Sequence, residues 1–232
     1  MRLPAPRLLY DHPLIDLYTY RTSNGRKASI MLEETGLDYE LHVIDITRGG
    51  QDAAAFRAIN PNGRIPAIID RDGPGGQPYA LFESGAILMY LADKTGLLLP
   101  LADQIGPRYR VIEWLMFQMG GVGPNFGQAF HFLHQTPDDA PEQAIAYGRA
   151  RYGAEVARLC RVMDTRLGES RYLGGGDYSI ADVACFPWVA LHRWFGIELA
   201  ALPYLKRWVG TVGARPAVRR GMDVPTRDQS QV

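Results

Sequence analysis

The sequence predicts a two-part chain, a small α/β unit of order βαβαββα followed by an all-helical half. Three observations carry that prediction. Short segments of alternating apolar and polar residues occur only before about residue 98, and helical periodicity lies between them. Beyond Pro100 every periodic segment has the helical repeat. A Ser179-Ile180-Ala181-Asp182 step then marks a strongly signalled helix start within the second half.

The elements follow in order. Ile15, Leu17 and Thr19 alternate with Asp16, Tyr18 and Tyr20, which reads as a first strand with the two tyrosines as structural residues. Thr22-Ser23-Asn24-Gly25 supplies turn and N-cap chemistry, and from Arg26 a helix is expected to run to about Gly36. Tyr39, Leu41 and Val43 make a second strand, so the first three elements form a βαβ unit with parallel strands. A short helix over Gln51 to Ile59 ends at Asn60-Pro61-Asn62-Gly63. A third strand is expected over Ile65 to Asp70 and a fourth over Tyr79 to Phe82, joined by the Gly/Pro-rich turn Asp72 to Pro78 as an antiparallel hairpin. Glu83-Ser84 opens a helix with Ile87, Leu88, Tyr90 and Leu91 on its apolar face.

In the second half, Val111, Trp114, Leu115 and Met119 mark a helix that Gly120-Gly121-Val122-Gly123-Pro124 is expected to interrupt. A long helix covers roughly Pro141 to Leu167, with a break at Gly174-Gly175-Gly176. Ser179 is the expected N-cap of the next helix, Asp182 its N3 carboxylate, and Tyr178 and Val183 its hydrophobic staple. A further helix spans Tyr204 to Val212. The expected boundaries are an extension over residues 1–14, the α/β domain over 15–98, the helical domain over 106–220 and a tail over 221–232.

Composition narrows the function classes. The 25 Lys and Arg residues balance 25 Asp and Glu, which argues against a nucleic-acid partner. Only Lys27, Lys94 and Lys206 are lysines, a bias that reads as the genome composition of a GC-rich bacterial source. Residues 1–13 lack the apolar run of a signal peptide, and no stretch approaches the ~18 apolar residues of a membrane span. A cytoplasmic protein without a membrane partner is expected. Cys160 and Cys185 sit among apolar residues and read as buried free thiols. No His/Cys/Asp spacing suggests a metal, and no Gly-rich loop has a nucleotide-binding form.

The element order, Ile65-Pro66, Phe82-Glu83-Ser84-Gly85-Ala86-Ile87 and the capped Ser179-Ile180-Ala181-Asp182 resemble glutathione S-transferases from about Ile15 to Ala217. Thr22-Ser23-Asn24-Gly25, Gly49-Gly50-Gln51, Asn60-Pro61-Asn62, Gly121-Val122-Gly123-Pro124 and Gln128 to Phe132 are similar to the bacterial nu class of that superfamily. The resemblance implies a thioredoxin-like first domain, a helical-bundle second domain, a homodimer, and one or two glutathione molecules per site as co-substrate.

It also implies residue roles, each beside a plainer alternative. Glu83 and Ser84 start a helix, where N–H groups and the dipole favour an anion, and would hold the γ-glutamyl carboxylate and ammonium; plain capping is the alternative. A cis bond before Pro66 would present the Ile65 backbone to the cysteinyl part of the ligand; an ordinary edge-strand proline is the alternative. Arg64 and Gln51 are candidates for the glycine carboxylate, though Gln51 reads equally as a solvated helix-start residue. Glutathione's thiol must become thiolate to react, and Thr22 and Asn24 are the first choices to stabilise it, with Ser23 in reserve because a serine near this place serves other classes. One of the three must serve as N-cap. Gln128, His131 and Arg151 are candidates for a second ligand, the arginine across a dimer interface, against packing or solvated alternatives.

The function expected is glutathione-dependent disulfide-bond oxidoreduction, acting on a small disulfide or glutathione disulfide. The first domain lacks a Cys-x-x-Cys, so no redox cysteine of the chain takes part. The alternatives are glutathione conjugation to an electrophile and a non-catalytic glutathione-binding carrier.

Overall fold

A computed structural model describes residues 14–231, so the extension expected over residues 1–14 lies almost wholly outside it. Four short strands form one sheet. β1 (Ile15–Thr19) leads into α1 (Ser23–Thr35), which ends at Gly36 in the left-handed conformation. β2 (Tyr39–Val43), a 3-10 turn over Gly50–Asp52, α2 (Ala54–Ile59), β3 (Ala67–Asp70), β4 (Tyr79–Phe82) and α3 (Ser84–Thr95) complete the α/β domain. The strand order is β2-β1-β3-β4, with β1 parallel to β2 and antiparallel to β3, and β3 antiparallel to β4. This is the thioredoxin-like arrangement. Ile65 and Pro66 were expected inside the third strand but precede it, and Pro66 has no N–H to donate to a ladder.

Every regular element of the second domain among the described residues is a helix. α4 (Ile105–Phe117) corrects one expectation, because the Gly120–Pro124 stretch does not interrupt it. A π-helical turn over Gln118–Val122 carries the chain directly into α5 (Gly123–His134). Pro124 lacks the N–H that would bond back to residue 120, and the wider turn absorbs that loss without ending the helix. α6 (Glu142–Glu169), α7 (Ile180–Val189) and α8 (Pro203–Gly213) follow the predicted helices closely. α9 (Pro216–Met222) was not anticipated; its proline stands in the first turn, where a missing N–H does no harm.

The capping box before α7 forms as expected. Asp182 is fully buried and accepts from Ser179 N–H at 3.0 Å and Ser179 Oγ at 3.1 Å. It also accepts from Leu173 N–H at 3.0 Å and from Trp208 Nε1 at 2.8 Å, tying three segments of the helical domain to one carboxylate.

α1 joins the two halves into one core, packed against α3 on one side and α7 and α9 on another. A Cβ on Gly221 would lie 2.5 Å from Ile30 Cα, so only glycine lets α9 lie directly on α1. Ser29 Oγ donates to Gly221 C=O at 2.7 Å, and Arg215 holds Glu34 through two bonds of 2.6 and 2.7 Å. The middle and last turns of α1 are thereby fixed at the junction.

Candidate active site

At that junction lies a cleft of about 500 Å³, lined by Thr22, Asn24, Ile46, Gln51, Asn60, Asn62, Gly63, Arg64, Ile65, Pro66, Glu83, Ser84 and Met119. Eight residues singled out from sequence thus converge: Thr22, Asn24, Gln51, Arg64, Ile65, Pro66, Glu83 and Ser84.

Thr22 is the N-cap of α1, its Oγ1 accepting from Gly25 N–H at 3.1 Å. The hydroxyl proton remains free to donate. Gly25 is required here, since a Cβ would fall 2.3 Å from Tyr20 C=O and 2.4 Å from Thr19 Oγ1. Asn24 is oriented from the other domain: Trp188 Nε1 donates to Asn24 Oδ1 at 3.3 Å. An indole N–H can only donate, so it selects the amide oxygen and leaves Asn24 Nδ2 as a free donor.

Ser23 is placed elsewhere. Its buried hydroxyl donates to Pro187 C=O at 3.1 Å and it does not line the cleft. Pro187 lies in the last turn of α7, where carbonyls lack helical partners, and Ser23 supplies one.

Asn60 is buried and shapes the opposite wall, donating to Arg64 C=O at 2.5 Å and accepting from Asn62 N–H at 2.9 Å. That loop delivers Arg64, Ile65 and Pro66 to the cleft, with the Ile65–Pro66 bond cis. Gln51 Nε2 is engaged by Asp52 at 3.3 Å, while Gln51 Oε1 is buried without a partner among the described residues, an acceptor suited to a ligand N–H.

Glu83 stands at the N-terminus of α3 with φ of 71°, a left-handed conformation rare for a residue with a Cβ. Such strain persists only where the surroundings impose it, and it concentrates at functional sites. Ser84, in the first turn, is nearly buried. Beneath Ser84 lies Lys27, 1% exposed, donating to Ser84 Oγ at 3.2 Å and to Gln118 Oε1 at 2.6 Å. Burial holds its ammonium down to about 7.

Three residues expected on the second-ligand side do not line this cleft. His131 on α5 contacts Phe132 edge-on at 5.3 Å, Phe132 stacks on Tyr152 at 5.5 Å, and Arg151 lies 6.0 Å from the Tyr152 ring. They form an aromatic patch across α5 and α6; Gln128 is exposed on α5. Tyr18 stacks on His42 at 4.5 Å, a packing role.

Sequence reasoning missed Lys27, Trp188, Asn60 and Met119. Asn60-Pro61-Asn62 is visible as a motif but its role is not; the others carry no local signal, because helix packing alone brings them here. It also missed the closeness of Asp16, Glu40 and His42, which strand pairing creates. Arg71 already neutralises that corner, with Nη2 at 2.5 Å from Asp16 and 2.7 Å from Glu40.

Both cysteines are buried far from reactivity. Burial pushes the Cys160 thiol up to about 12 and raises the Cys185 thiol still further. Neither lines the cleft. No helix among the described residues is long and apolar enough to cross a membrane.

Comparison with known proteins agrees with this geometry. Residues 23–94 match the model of the glutathione S-transferase N-terminal domain, and residues 124–216 that of the C-terminal domain. The chain is 45% identical over 210 residues to the disulfide-bond oxidoreductase YfcG of Escherichia coli, covering 90% of this chain and 94% of YfcG. It is 38% identical to the disulfide-bond oxidoreductase YghU of the same organism, covering 90% of this chain and 74% of YghU. Among solved structures, a glutathione transferase from Burkholderia graminis with two glutathione molecules per subunit superposes with a TM-score of 0.85 at 44% identity, covering 97% of this chain and 92% of that one. One from Pseudomonas putida, with a glutathione disulfide bound, gives 0.83 at 40% identity, covering 96% and 94%. The family models match well over half the chain, and the protein is an enzyme belonging to the glutathione S-transferase family.

Proposed function

We propose that the protein is a glutathione-dependent disulfide-bond oxidoreductase in which the reacting sulfur belongs to bound glutathione. One observation carries this reading: the cleft presents a hydroxyl and an amide donor at Thr22 and Asn24 but no cysteine, while both thiols of the chain are buried and held protonated. The names of the two Escherichia coli relatives support it.

In this reading the γ-glutamyl group occupies the Glu83–Ser84 end, carboxylate at the α3 N-terminus and ammonium at Glu83. The Ile65 backbone pairs with the cysteinyl residue, Gln51 and Arg64 hold the glycine end, and the sulfur meets Thr22 and Asn24. The thiolate attacks one sulfur of a substrate disulfide, forming a mixed disulfide and releasing one thiolate. A second glutathione thiolate attacks the glutathione sulfur of the mixed disulfide, releasing the other substrate thiolate and glutathione disulfide. Two thiols are oxidised and one disulfide is reduced, so electrons balance without a protein sulfur. Gln128 and His131 are proposed as contacts of the second glutathione, with Arg151 reaching it across the interface of a homodimer of cytoplasmic protein.

The test is turnover of a small symmetrical disulfide, coupled to glutathione disulfide formation, beside conjugation of a chlorodinitrobenzene. Disulfide turnover well above conjugation is expected. Conjugation alone would make the protein a transferase in the strict sense, and glutathione binding with neither activity would make it a carrier.

A further inference from the structure

Lys27 has no part in the reactions above, yet it is a fully buried lysine without an ionic partner among the described residues. Its side chain is 1% exposed, and no carboxylate among the described residues lies within ion-pair distance of it. Its partners are neutral: Ser84 Oγ at 3.2 Å, Gln118 Oε1 at 2.6 Å and Met119 Sδ at 3.6 Å. An unpaired buried cation is strongly disfavoured and retained only where something compensates it. Gln118 offers only a neutral oxygen, and its buried Nε2 has no partner among the described residues.

The surroundings explain why no internal anion serves. At the N-cap of α3, Glu83 is the acid whose field reaches Lys27, but it is exposed on the cleft side. On α7, Cys185 is held protonated, and Asp182 beyond it is engaged by Leu173, Ser179 and Trp208. On the α9 side, Glu33 and Glu34 are paired with Arg220 and Arg215, and on β1 Asp16 is paired with Arg71. Without an anion burial favours the neutral amine, so a counter-charge that keeps Lys27 protonated has to come from outside. Only one neighbour of Lys27 combines burial with a place in the cleft wall at a helix N-terminus, and that is Ser84. An ammonium only donates, so Ser84 Oγ accepts from Lys27 and its own proton is free to turn into the cleft. Met119 Sδ at 3.7 Å is a weak competitor for that proton.

We propose that Lys27 is a positioning residue of the ligand site, the buried counter-charge for the ligand's γ-glutamyl carboxylate, so that the anion binds together with a proton taken up by Lys27. The inference rests on the reading that this carboxylate sits at the Ser84 end. Its consequence is regulation: glutathione affinity depends on pH through a group that never touches glutathione. The low set-point near 7 that burial gives the free amine puts the linkage in the physiological range.

The experiment is calorimetric titration of the full chain with S-methylglutathione, whose sulfur cannot ionise. Titrations run in two buffers of different ionisation enthalpy, from about pH 6 to about pH 8.5. Net proton uptake is expected, with affinity falling by up to about tenfold per pH unit above about pH 7. K27M should bind about tenfold or more weakly with no proton uptake and a flat pH profile. K27R, permanently charged, should bind with no uptake and no pH dependence in this range. The wild-type result stands even if a variant fails to fold. Binding without proton uptake, or the wild-type profile retained in folded K27M, overturns the inference and leaves disulfide reduction untouched. Proton-linked binding in a protein that reduces no disulfide overturns only the proposed reaction, and no binding at all overturns both.

Discussion

Replacing Thr22 with alanine removes one oxygen that serves two purposes, and the two losses can be read separately. As N-cap, Oγ1 accepts the Gly25 N–H at 3.1 Å. Losing a threonine cap costs typically about 1 kcal/mol, which in a chain of this size lowers the Tm by about 2–4 °C. As donor to the glutathione sulfur, the same hydroxyl should favour thiolate over thiol. A hydrogen bond to a charged group is worth about 1.5–3 kcal/mol, roughly ten- to a hundredfold. T22A should therefore raise the pKa of bound glutathione and lower turnover by that factor with little change in affinity, because the bond strengthens as the sulfur becomes an anion. T22S keeps both the cap and the donor and should behave nearly as wild type. The assays are thermal unfolding, titration of the ultraviolet thiolate absorbance of bound glutathione, and disulfide turnover. If T22A loses its few degrees of stability but keeps the wild-type thiolate titration and turnover, Thr22 is a cap and nothing more, and the reasoning fails.

Ser23→Ala should do the reverse, lowering stability by about 1 kcal/mol through the lost bond to Pro187 C=O while leaving the thiolate titration unchanged. A raised thiolate pKa in S23A would return the activating role to Ser23. The double variant C160A/C185A should retain glutathione-dependent activity once its stability loss is allowed for; a folded but inactive double variant would place the reactive sulfur in the chain. Asp182→Ala strands Leu173 N–H, Ser179 N–H and Trp208 Nε1 in the core and should destabilise by more than about 3 kcal/mol in chemical denaturation. Without ligand, Lys27 holds fewer protons folded than unfolded between about 7 and its ordinary 10.5. Its contribution to stability should therefore rise with pH across that window. The wild-type minus K27M difference in unfolding free energy measures it, and a flat difference would show that Lys27 titrates normally.

The elements and much of the cleft are legible in the order of residues alone, because both are written in local chemistry. Alternation at Ile15–Thr19, the Thr22-Ser23-Asn24-Gly25 turn, Glu83-Ser84 at a helix start and the Ser179/Asp182 box each act within a few residues of chain. Where the reading failed, a distant partner was decisive. Glycines and a proline promised a break after Met119, but a π-helical turn preserved the helix and aimed Gln118 at Lys27. Three adjacent polar residues at 22–24 could not be told apart by type. Tertiary structure separated them: Pro187 C=O took Ser23, and Trp188 took the oxygen of Asn24, each 164 residues away in sequence. Lys27 gave no sign at all, since on a helical wheel it is one more cation. Its burial is decided where α1, α3 and the π-helical turn close over it, because desolvation depends on what surrounds a charge in space and not on what neighbours it in the chain.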